Sequence, residues 1–239
     1  VMRLVGSEMC IRDRLSTIPP TAEGHDPVLT HLGSQLKERS LTWVGYLSTT
    51  GVYGDQQGRW VSEDDPANPG QPRSQRRHAC EQAWLDSGLP VQILRLPGIY
   101  GPGRSVLDSL RAGKSRRILK ADQVFCRIHV DDIAGACLHL MHQAAAGPGP
   151  AIVNVSDDRP AAPQDLLQYG AALLNCKLPD EEPFELASHS MSTMARSFWS
   201  ENRRVRNTLL CQQLGYVLLH PDFKAGLQDC LREEAQSRS

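Results

Sequence analysis

The feature that most constrains the fold is a regular alternation of short apolar segments with longer amphipathic ones, beginning at residue 15. Four apolar segments end at turn or breaker signals and are predicted to be strands: residues 15–18, 43–48, 91–96 and 151–155. Strands that alternate with helices are typical of β-α-β units around a mostly parallel sheet. The pattern therefore predicts an α/β fold with a doubly wound parallel sheet.

Amphipathic periodicity predicts the helices between and after these strands. They cover residues 27–38, 71–87, 105–112, 130–145, 163–174, 206–214 and 221–234. Asp26 precedes a proline at the first helical position and is expected to cap the first helix. Gly88 follows the second helix, where a left-handed residue is favoured. The part of the chain from residue 156 onward is expected to be mainly helical.

Composition excludes several functional classes. The 26 basic and 27 acidic side chains are spread along 239 residues, so no basic surface for nucleic acid is expected. No apolar run approaches the roughly 20 residues of a membrane helix. Seven scattered cysteines argue against a disulfide framework and favour a reducing, cytoplasmic compartment. His139 and His142 lie three apart on a predicted helix without a third ligand, so no metal site is predicted.

The most informative stretch is STTGVYGD at residues 48–55, directly after the second predicted strand. Hydroxyl groups at the carboxyl end of a parallel strand lie where open α/β sheets bind ligands, and glycines let the backbone approach one. For an isolated run of hydroxyls, a second interpretation stays open: the side chains only satisfy backbone groups where the strand ends.

Two further motifs follow in order, LRLPGIYGPGR at residues 94–104 and RIHVDDIA at residues 127–134. Together with YLSTTGVYGD at residues 46–55, they resemble the extended short-chain dehydrogenase/reductase superfamily, in its NAD-dependent epimerase/dehydratase group. The resemblance runs from residue 15 to about residue 231. It implies a Rossmann-like sheet, NAD or NADP as cofactor, a small-molecule substrate and a homodimer.

Catalytic positions are carried over from the same resemblance. A Ser or Thr after the strand holds the reacting oxygen, and that position falls on Thr49, with Ser48 beside it. The family's Tyr-x-x-x-Lys pair falls on Arg73 and Arg77. Arginine has no acceptor atom and stays protonated, so Arg73 cannot shuttle a proton as a tyrosine does. Two interpretations of the arginines stay open, a clamp for an anionic ligand and a solvated basic helix face.

The resemblance also implies the remaining candidate residues. Those expected to line the nicotinamide are Pro97, Gly98 and Ile99. Those expected to pass the adenosine side are Ser16, Thr17 and Pro19. Arg104 and His129 are expected to contact the substrate, with Arg127 as an alternative to His129. Asp131 or Asp132 is expected to cap the helix that begins there.

The beginning of the chain differs from the family pattern. Residues 4–14, LVGSEMCIRDR, resemble a translated transposase sequencing-library adapter, so residues 1–14 are expected to be non-native. The family's first strands and glycine-rich turn are absent from the sequence, and residues 15–18 resemble its fourth strand. Residues 15–155 are thus expected to be the C-terminal part of a dinucleotide-binding domain, with a substrate-subdomain insertion at about 97–125. Residues 156–239 would form the substrate subdomain, and this fragment alone is expected to be inactive.

Two functions follow from the resemblance. The first is an NAD(P)-dependent oxidoreductase or epimerase/dehydratase-like protein acting on a nucleotide sugar or a similar polar carbonyl substrate. The second is a non-catalytic NAD(P)-binding sensor or scaffold protein, which the loss of the Tyr-x-x-x-Lys pair would permit.

Overall fold

The structure, a computed structural model, describes residues 12–237. The strands in that range are β1 (Asp13–Ser16), β2 (Trp43–Thr49), β3 (Trp60–Val61), β4 (Val91–Leu96), β5 (Gly98–Tyr100), β6 (Arg117–Leu119), β7 (Arg127–His129), β8 (Ile152–Asn154), β9 (Glu181–Pro183) and β10 (Arg204–Val205). The helices are α1 (Pro27–Lys37), α2 (Pro72–Leu85), α3 (Val106–Arg111), α4 (Val130–Ala144), α5 (Pro163–Leu173), α6 (Phe184–His189), α7 (Thr193–Trp199) and α8 (Phe223–Ser237). A 3-10 turn at Thr50–Tyr53 and a π-helical turn at Leu209–Gln213 complete the fold.

Four strands form one parallel sheet in the order β1-β2-β4-β8. The register places Ser16 beside Tyr46, Tyr46 beside Ile93, and Ile93 beside Ile152. The remaining strands form three short parallel pairs, β3 with β10, β5 with β7 and β6 with β9. The predicted α/β fold with a parallel sheet is confirmed.

The first strand begins at Asp13, two residues earlier than predicted. Asp13 pairs with Trp43, and the carbonyl of Arg12 accepts a hydrogen bond from the N–H of Thr42. Charged residues carry no apolar signal, so the sequence pattern missed this extension. Residues 12–14 of the segment expected to be non-native therefore take part in the sheet, whereas residues 1–11 lie outside the described residues.

Both faces of the sheet are packed, because alternate residues of β2 and β4 point to opposite sides. One face packs against α1 and α2, and its buried residues are Leu36, Val44, Tyr46, Cys80, Trp84 and Ile93. The other face packs against α4 and the π-helical turn, and its buried residues include Leu94, Leu96, Ala136, Leu140, Val153 and Leu210. Helices on both faces make the sheet doubly wound.

Asp26 caps α1, as predicted, and its side chain also binds α2. Asp26 Oδ1 accepts a hydrogen bond from the backbone N–H of Leu29 at 2.9 Å. Its Oδ2 accepts from Trp84 Nε1, also at 2.9 Å, so one buried carboxylate fixes the start of α1 and ties it to α2. Gly88, with φ +75°, has the left-handed conformation expected after α2.

The C-terminal part packs α3, α5 and α8 around a separate apolar cluster of Tyr100, Leu107, Ala161, Leu166, Phe223, Leu227 and Cys230. It is mainly helical, as expected. The helix predicted over residues 206–214 is wrong in extent, since only the π-helical turn at Leu209–Gln213 forms there. Among residues 12–237, no helix combines the length and apolar character that a membrane span requires.

Candidate functional site

A cavity of about 440 Å³ opens where β2 and β4 end. Residues after both strands line it together with the beginning of α2 and the segment from α7 to β10. Its polar and charged lining residues are Thr49, Thr50, Arg73, Ser74, Arg104, Ser105, Arg127, Glu201 and Arg203. Its aromatic lining residues are Tyr100, Phe125, Phe198 and Trp199. Of the residues predicted from the sequence, the cavity brings together Thr49, Arg73, Pro97, Gly98, Ile99, Arg104 and Arg127, the last named as the alternative to His129.

The two hydroxyl side chains predicted to act together at the end of β2 point to different places. Thr49 lines the cavity, and its Oγ1 accepts a hydrogen bond from the N–H of Gly51 at 3.1 Å, which caps the 3-10 turn. Ser48 is buried away from the cavity and donates to Glu81 Oε1 at 2.5 Å. Successive side chains of a strand point to opposite faces, so only one of the two could reach the cavity. The expectation that Ser48 acts beside Thr49 is corrected on this ground.

Glu81 is the centre of a buried polar network beneath the cavity. Its carboxylate binds Arg95 through Nε at 3.2 Å and Nη2 at 2.8 Å, besides the hydroxyl of Ser48. The Arg95 guanidinium lies 4.7 Å from the ring centre of Tyr53, whose hydroxyl donates to Asn154 Oδ1 at 2.9 Å. Burial raises the pKa of Tyr53, so its phenol stays protonated. This network holds β2, α2, β4 and β8 together below the site.

The two arginines at the Tyr and Lys positions have different surroundings. Arg73 lines the cavity, donates to Ser197 Oγ at 2.5 Å and lies 4.0 Å from the ring centre of Phe198. Burial lowers its pKa. Arg77 lies outside the cavity lining and donates to Tyr46 Oη, to the Leu47 carbonyl and, at 3.4 Å, to the Ile18 carbonyl. Arg73 thus fits a clamp at the cavity, whereas Arg77 links the ends of β1 and β2.

Three further arginines bring positive charge to the cavity. Arg127 donates to the carbonyls of Phe125 and Ala161, and burial lowers its pKa to about 10, which leaves it protonated at neutral pH. Arg203 donates to Glu201 Oε2 at 2.7 Å. The Arg104 side chain is exposed and has no hydrogen-bond partner or ion pair among the described residues. The arrangement suits an anionic group, which planar guanidinium forks bind well.

Glu201 is the one carboxylate among the described residues that line this cavity. The residue is only 7% exposed, and its Oε1 has no hydrogen-bond partner among the described residues. Its Oε2 is held by Arg203. A buried carboxylate oxygen without a donor is costly, so Oε1 is suited to accept a hydrogen bond from a ligand.

The residues predicted to pass the adenosine lie outside the cavity lining, at the end of β1. Thr17 and Pro19 are exposed, and Ser16 is buried with a hydroxyl that has no partner among the described residues. Their predicted role stays a prediction.

His129 does not face the cavity, so the expectation that it contacts substrate is corrected. Its ring is fully buried, edge-on to Tyr100 and 3.9 Å between centroids from the ring of His220. Burial lowers its pKa. It also caps α4, because its Nδ1 accepts from the N–H of Asp131 at 3.3 Å. The cap predicted for a carboxylate is therefore wrong, and the buried Asp132 binds His220 instead.

Titratable groups elsewhere were predicted to offer no metal site. His139 donates through Nε2 to the Leu214 carbonyl at 2.7 Å, which gives it a structural partner. The structure brings other donors together: one atom each of His129, Asp131 and His220 lie within 4.8 Å of one another. No local pattern predicts this cluster, because His220 is 91 positions beyond His129.

Sequence reasoning missed Glu201, Arg203 and the aromatic pair Phe125 and Trp199, whose rings lie edge-on at 5.5 Å. The one available signal was the polar run ENRRVR at residues 201–206, in which β10 lies. Pairing of β10 with β3, more than 140 positions earlier, brings that run to the cavity. No local pattern predicts such a long-range pairing.

Comparison with known proteins places this site in a family. The family model for the NAD dependent epimerase/dehydratase family matches residues 12–156. Protein YeeZ of Escherichia coli (strain K12) is 29% identical over 181 residues, which cover 74% of this chain and 58% of YeeZ. The chain thus spans less than two thirds of the length of that relative.

Solved structures agree with the fold. A functionally unknown conserved protein from Silicibacter pomeroyi DSS is 42% identical, with a TM-score of 0.84 over 93% of this chain and 77% of that one. The dTDP-glucose 4,6-dehydratase from Bacillus anthracis in complex with NAD is 16% identical, with a TM-score of 0.72 over 94% of this chain and 73% of that one. The latter likeness shows the fold alone. The family model covers more than half of the chain, and the chain belongs to the NAD-dependent epimerase/dehydratase family.

Proposed function

We propose that the whole protein is an NAD(P)-dependent oxidoreductase or epimerase/dehydratase-like enzyme whose substrate is a nucleotide sugar or a similar polar, anionic carbonyl compound. The observation that carries the proposal is the cavity at the ends of β2 and β4. There the Thr49 hydroxyl shares one space with four arginines, at positions 73, 104, 127 and 203. Ligands of open α/β sheets bind outside the carboxyl ends of the strands, which is where this cavity lies.

The residues present fit the nicotinamide end of NAD or NADP. Pro97, Gly98 and Ile99 line the cavity directly after β4. The buried hydroxyl of Ser16, unpartnered among the described residues, fits a contact on the adenosine side. The cofactor, when bound, would supply the hydride acceptor or donor.

In this proposal, residues of this chain bind the substrate and accept its proton. Thr49 hydrogen-bonds the reacting oxygen, and Arg104 binds the anionic group of the substrate. Arg73 cannot accept a proton, so the acceptor must come from elsewhere. Glu201 supplies it, because its Oε1 is a buried, unpartnered acceptor in the same cavity.

A second candidate function is a non-catalytic NAD(P)-binding sensor or scaffold. The observation that favours it is the state of the two arginines at the Tyr and Lys positions. Arg73 is bound to Ser197 and Phe198, and Arg77 is bound to backbone carbonyls and Tyr46. In this reading the arginines stabilise the fold around a bound cofactor without any proton transfer.

The deciding experiment measures both binding and turnover of the whole protein. Calorimetry with NAD and NADP gives cofactor affinity, and chromatography of reactions with UDP-glucose, UDP-glucuronic acid and dTDP-glucose detects products. Substrate-dependent product formation supports the enzyme. Cofactor binding without product from any of the three supports the sensor, and no binding of either cofactor contradicts both.

Glu201→Gln tests the acceptor within the enzyme proposal. The variant keeps the side-chain shape but cannot accept a proton, so kcat/KM is expected to fall about 100- to 10,000-fold, the contribution typical of a positioned general base. Cofactor affinity should not change. The matched control is Glu182→Gln, an exposed carboxylate paired with Arg116, which should leave kcat/KM as it is. Equal rates in the two variants would exclude Glu201 from the reaction.

A further inference from the structure

Helix α7 forms one wall of the cavity without being packed into the core. Its last two residues, Phe198 and Trp199, line the cavity. None of its residues is buried, and the Phe198 side chain is 54% exposed although it lines the cavity. A residue that both lines a cavity and faces solvent lies at the mouth of that cavity. Helix α7 therefore covers one edge of the opening.

So short a helix depends on its contacts with the rest of the fold. Isolated helices of fewer than about 12 residues are marginal in water, and in proteins most helical stability comes from a packed apolar face. Helix α7 has seven residues and no buried one. Met194, in its first turn, is 67% exposed. The position of α7 is consequently decided by the few side chains that bind it.

The two ends of α7 are held differently. The ring of Trp199 lies 5.4 Å from that of Phe184, between centroids, and the Trp199 carbonyl accepts a hydrogen bond from Lys120. At the other end, Ser192 Oγ accepts from the N–H of Ala195 at 3.1 Å. This second contact is a local cap, which holds the helix together but does not attach it to the cavity. Trp199 is thus a fixed end about which α7 can turn.

Arg73, in the first turn of α2, binds the last turn of α7. Its Nη1 donates to Ser197 Oγ at 2.5 Å, and its guanidinium lies 4.0 Å from the ring centre of Phe198. Gln71 adds a hydrogen bond to Ser200 Oγ at 3.1 Å. Arg73 and Phe198 both line the cavity. Their contact therefore joins two walls of the cavity, one on α2 and one on α7.

We propose that α7 is a lid over the cavity and that Arg73 is the positioning residue that holds this lid closed. Release of the Ser197 and Phe198 contacts lets α7 turn about Trp199 and opens the cavity to solvent. Lids that control ligand entry are segments with few buried apolar contacts, as α7 is. The inference rests on the cavity being the ligand site, which the proposed enzyme and the proposed sensor share.

Hydrogen exchange of the whole protein, followed by mass spectrometry, tests the lid without cofactor or substrate. Arg73→Met removes both contacts, so exchange of residues 193–199 should rise about tenfold, while β2 and β4 keep their protection. Arg76→Met is the matched control, because Arg76 is also on α2 but lies beside Gly24. Equal exchange of α7 in the two variants, or a rise throughout the chain, would overturn the proposal.

Two milder variants separate the lid from a general loss of stability. Arg73→Lys keeps a cation near Phe198 and should recover part of the protection that Arg73→Met loses. Ser197→Ala cannot disturb the core, since α7 has no buried residue, and it should raise exchange of α7 less than Arg73→Met does. Unchanged exchange in Ser197→Ala together with no recovery in Arg73→Lys would contradict the assigned role of Arg73.

Acrylamide quenching of Trp199 fluorescence measures whether the cavity itself opens. Trp60, which is 44% exposed, is replaced by phenylalanine first, and Trp43 and Trp84 are buried, so the quenching then reports Trp199. The Stern–Volmer constant should rise in Arg73→Met and stay the same in Arg76→Met. An unchanged constant in Arg73→Met would show that the cavity stays covered and would overturn the lid. Since neither measurement uses a ligand, its outcome is separate from that of the proposed function.

Discussion

At the residue scale, burial in the fold raises the pKa of the Asp157 carboxyl group. The residue follows β8 and is 1% exposed, and its Oδ1 accepts a long hydrogen bond from the N–H of Arg159. Its Oδ2 has no partner among the described residues. Burial raises its pKa from 3.8 to about 8, although the nearby charge of Arg127 opposes that rise. At neutral pH this carboxyl group is therefore mostly protonated.

This shift predicts a pH dependence of stability. The folded pKa lies above the unfolded value, so the contribution of Asp157 is complete below pH 4 and is lost as pH rises toward 8. Asp157→Asn removes the titration, and its free energy of unfolding should decline less between pH 5 and pH 8 than that of the wild type. Urea unfolding at both values measures the difference. Identical slopes for the two proteins would show that Asp157 titrates normally.

At the element scale, one buried ion pair joins α2 to β4. The side chains of Arg95 and Glu81 are 3% and 0% exposed and lie 2.8 Å apart. Glu81 also receives the hydroxyl of Ser48 from β2, so three elements depend on one carboxylate. Removing one partner of such a pair leaves a buried charge uncompensated, which costs more than the pair itself contributes.

Arg95→Met should therefore reduce the free energy of unfolding by about 3–5 kcal/mol. The double variant Arg95→Met/Glu81→Leu removes both charges and should regain most of that loss. Thermal and urea unfolding of the single and double variants provide the comparison. A double variant that is less stable than Arg95→Met would contradict this account of the pair.

At the scale of the whole molecule, the residues after 156 are part of the core of the sheet. Leu210 and Tyr216 pack in the same cluster as Leu94 and Val153. Asp132 of α4 accepts hydrogen bonds from Tyr216 and from the backbone of Leu219 and His220. The predicted boundary between residues 155 and 156 consequently separates segments that share one apolar cluster.

Shared packing predicts that the chain unfolds in one cooperative step. Far-ultraviolet circular dichroism reports the helices, and tryptophan fluorescence reports Trp84 beneath the sheet and Trp199 beside the cavity. Their urea transitions should coincide. Two separate transitions would show that residues 156–239 form a unit of their own.

The sequence by itself determined the parallel sheet, the helices between its strands and the cap at Asp26, because these depend on periodicity and on neighbouring residues. The hydroxyl run after β2 was expected at the ligand-binding edge, since the ends of parallel strands meet at one edge of a sheet. The family resemblance, rather than local pattern, pointed to Thr49, Arg73 and the residues after β4, which all line the cavity. Only the tertiary structure decided that Ser48 turns to Glu81, that His129 packs against His220, and that Glu201 enters the cavity. Each of these contacts joins residues at least 33 positions apart, and such contacts depend on how whole elements pack rather than on local preference.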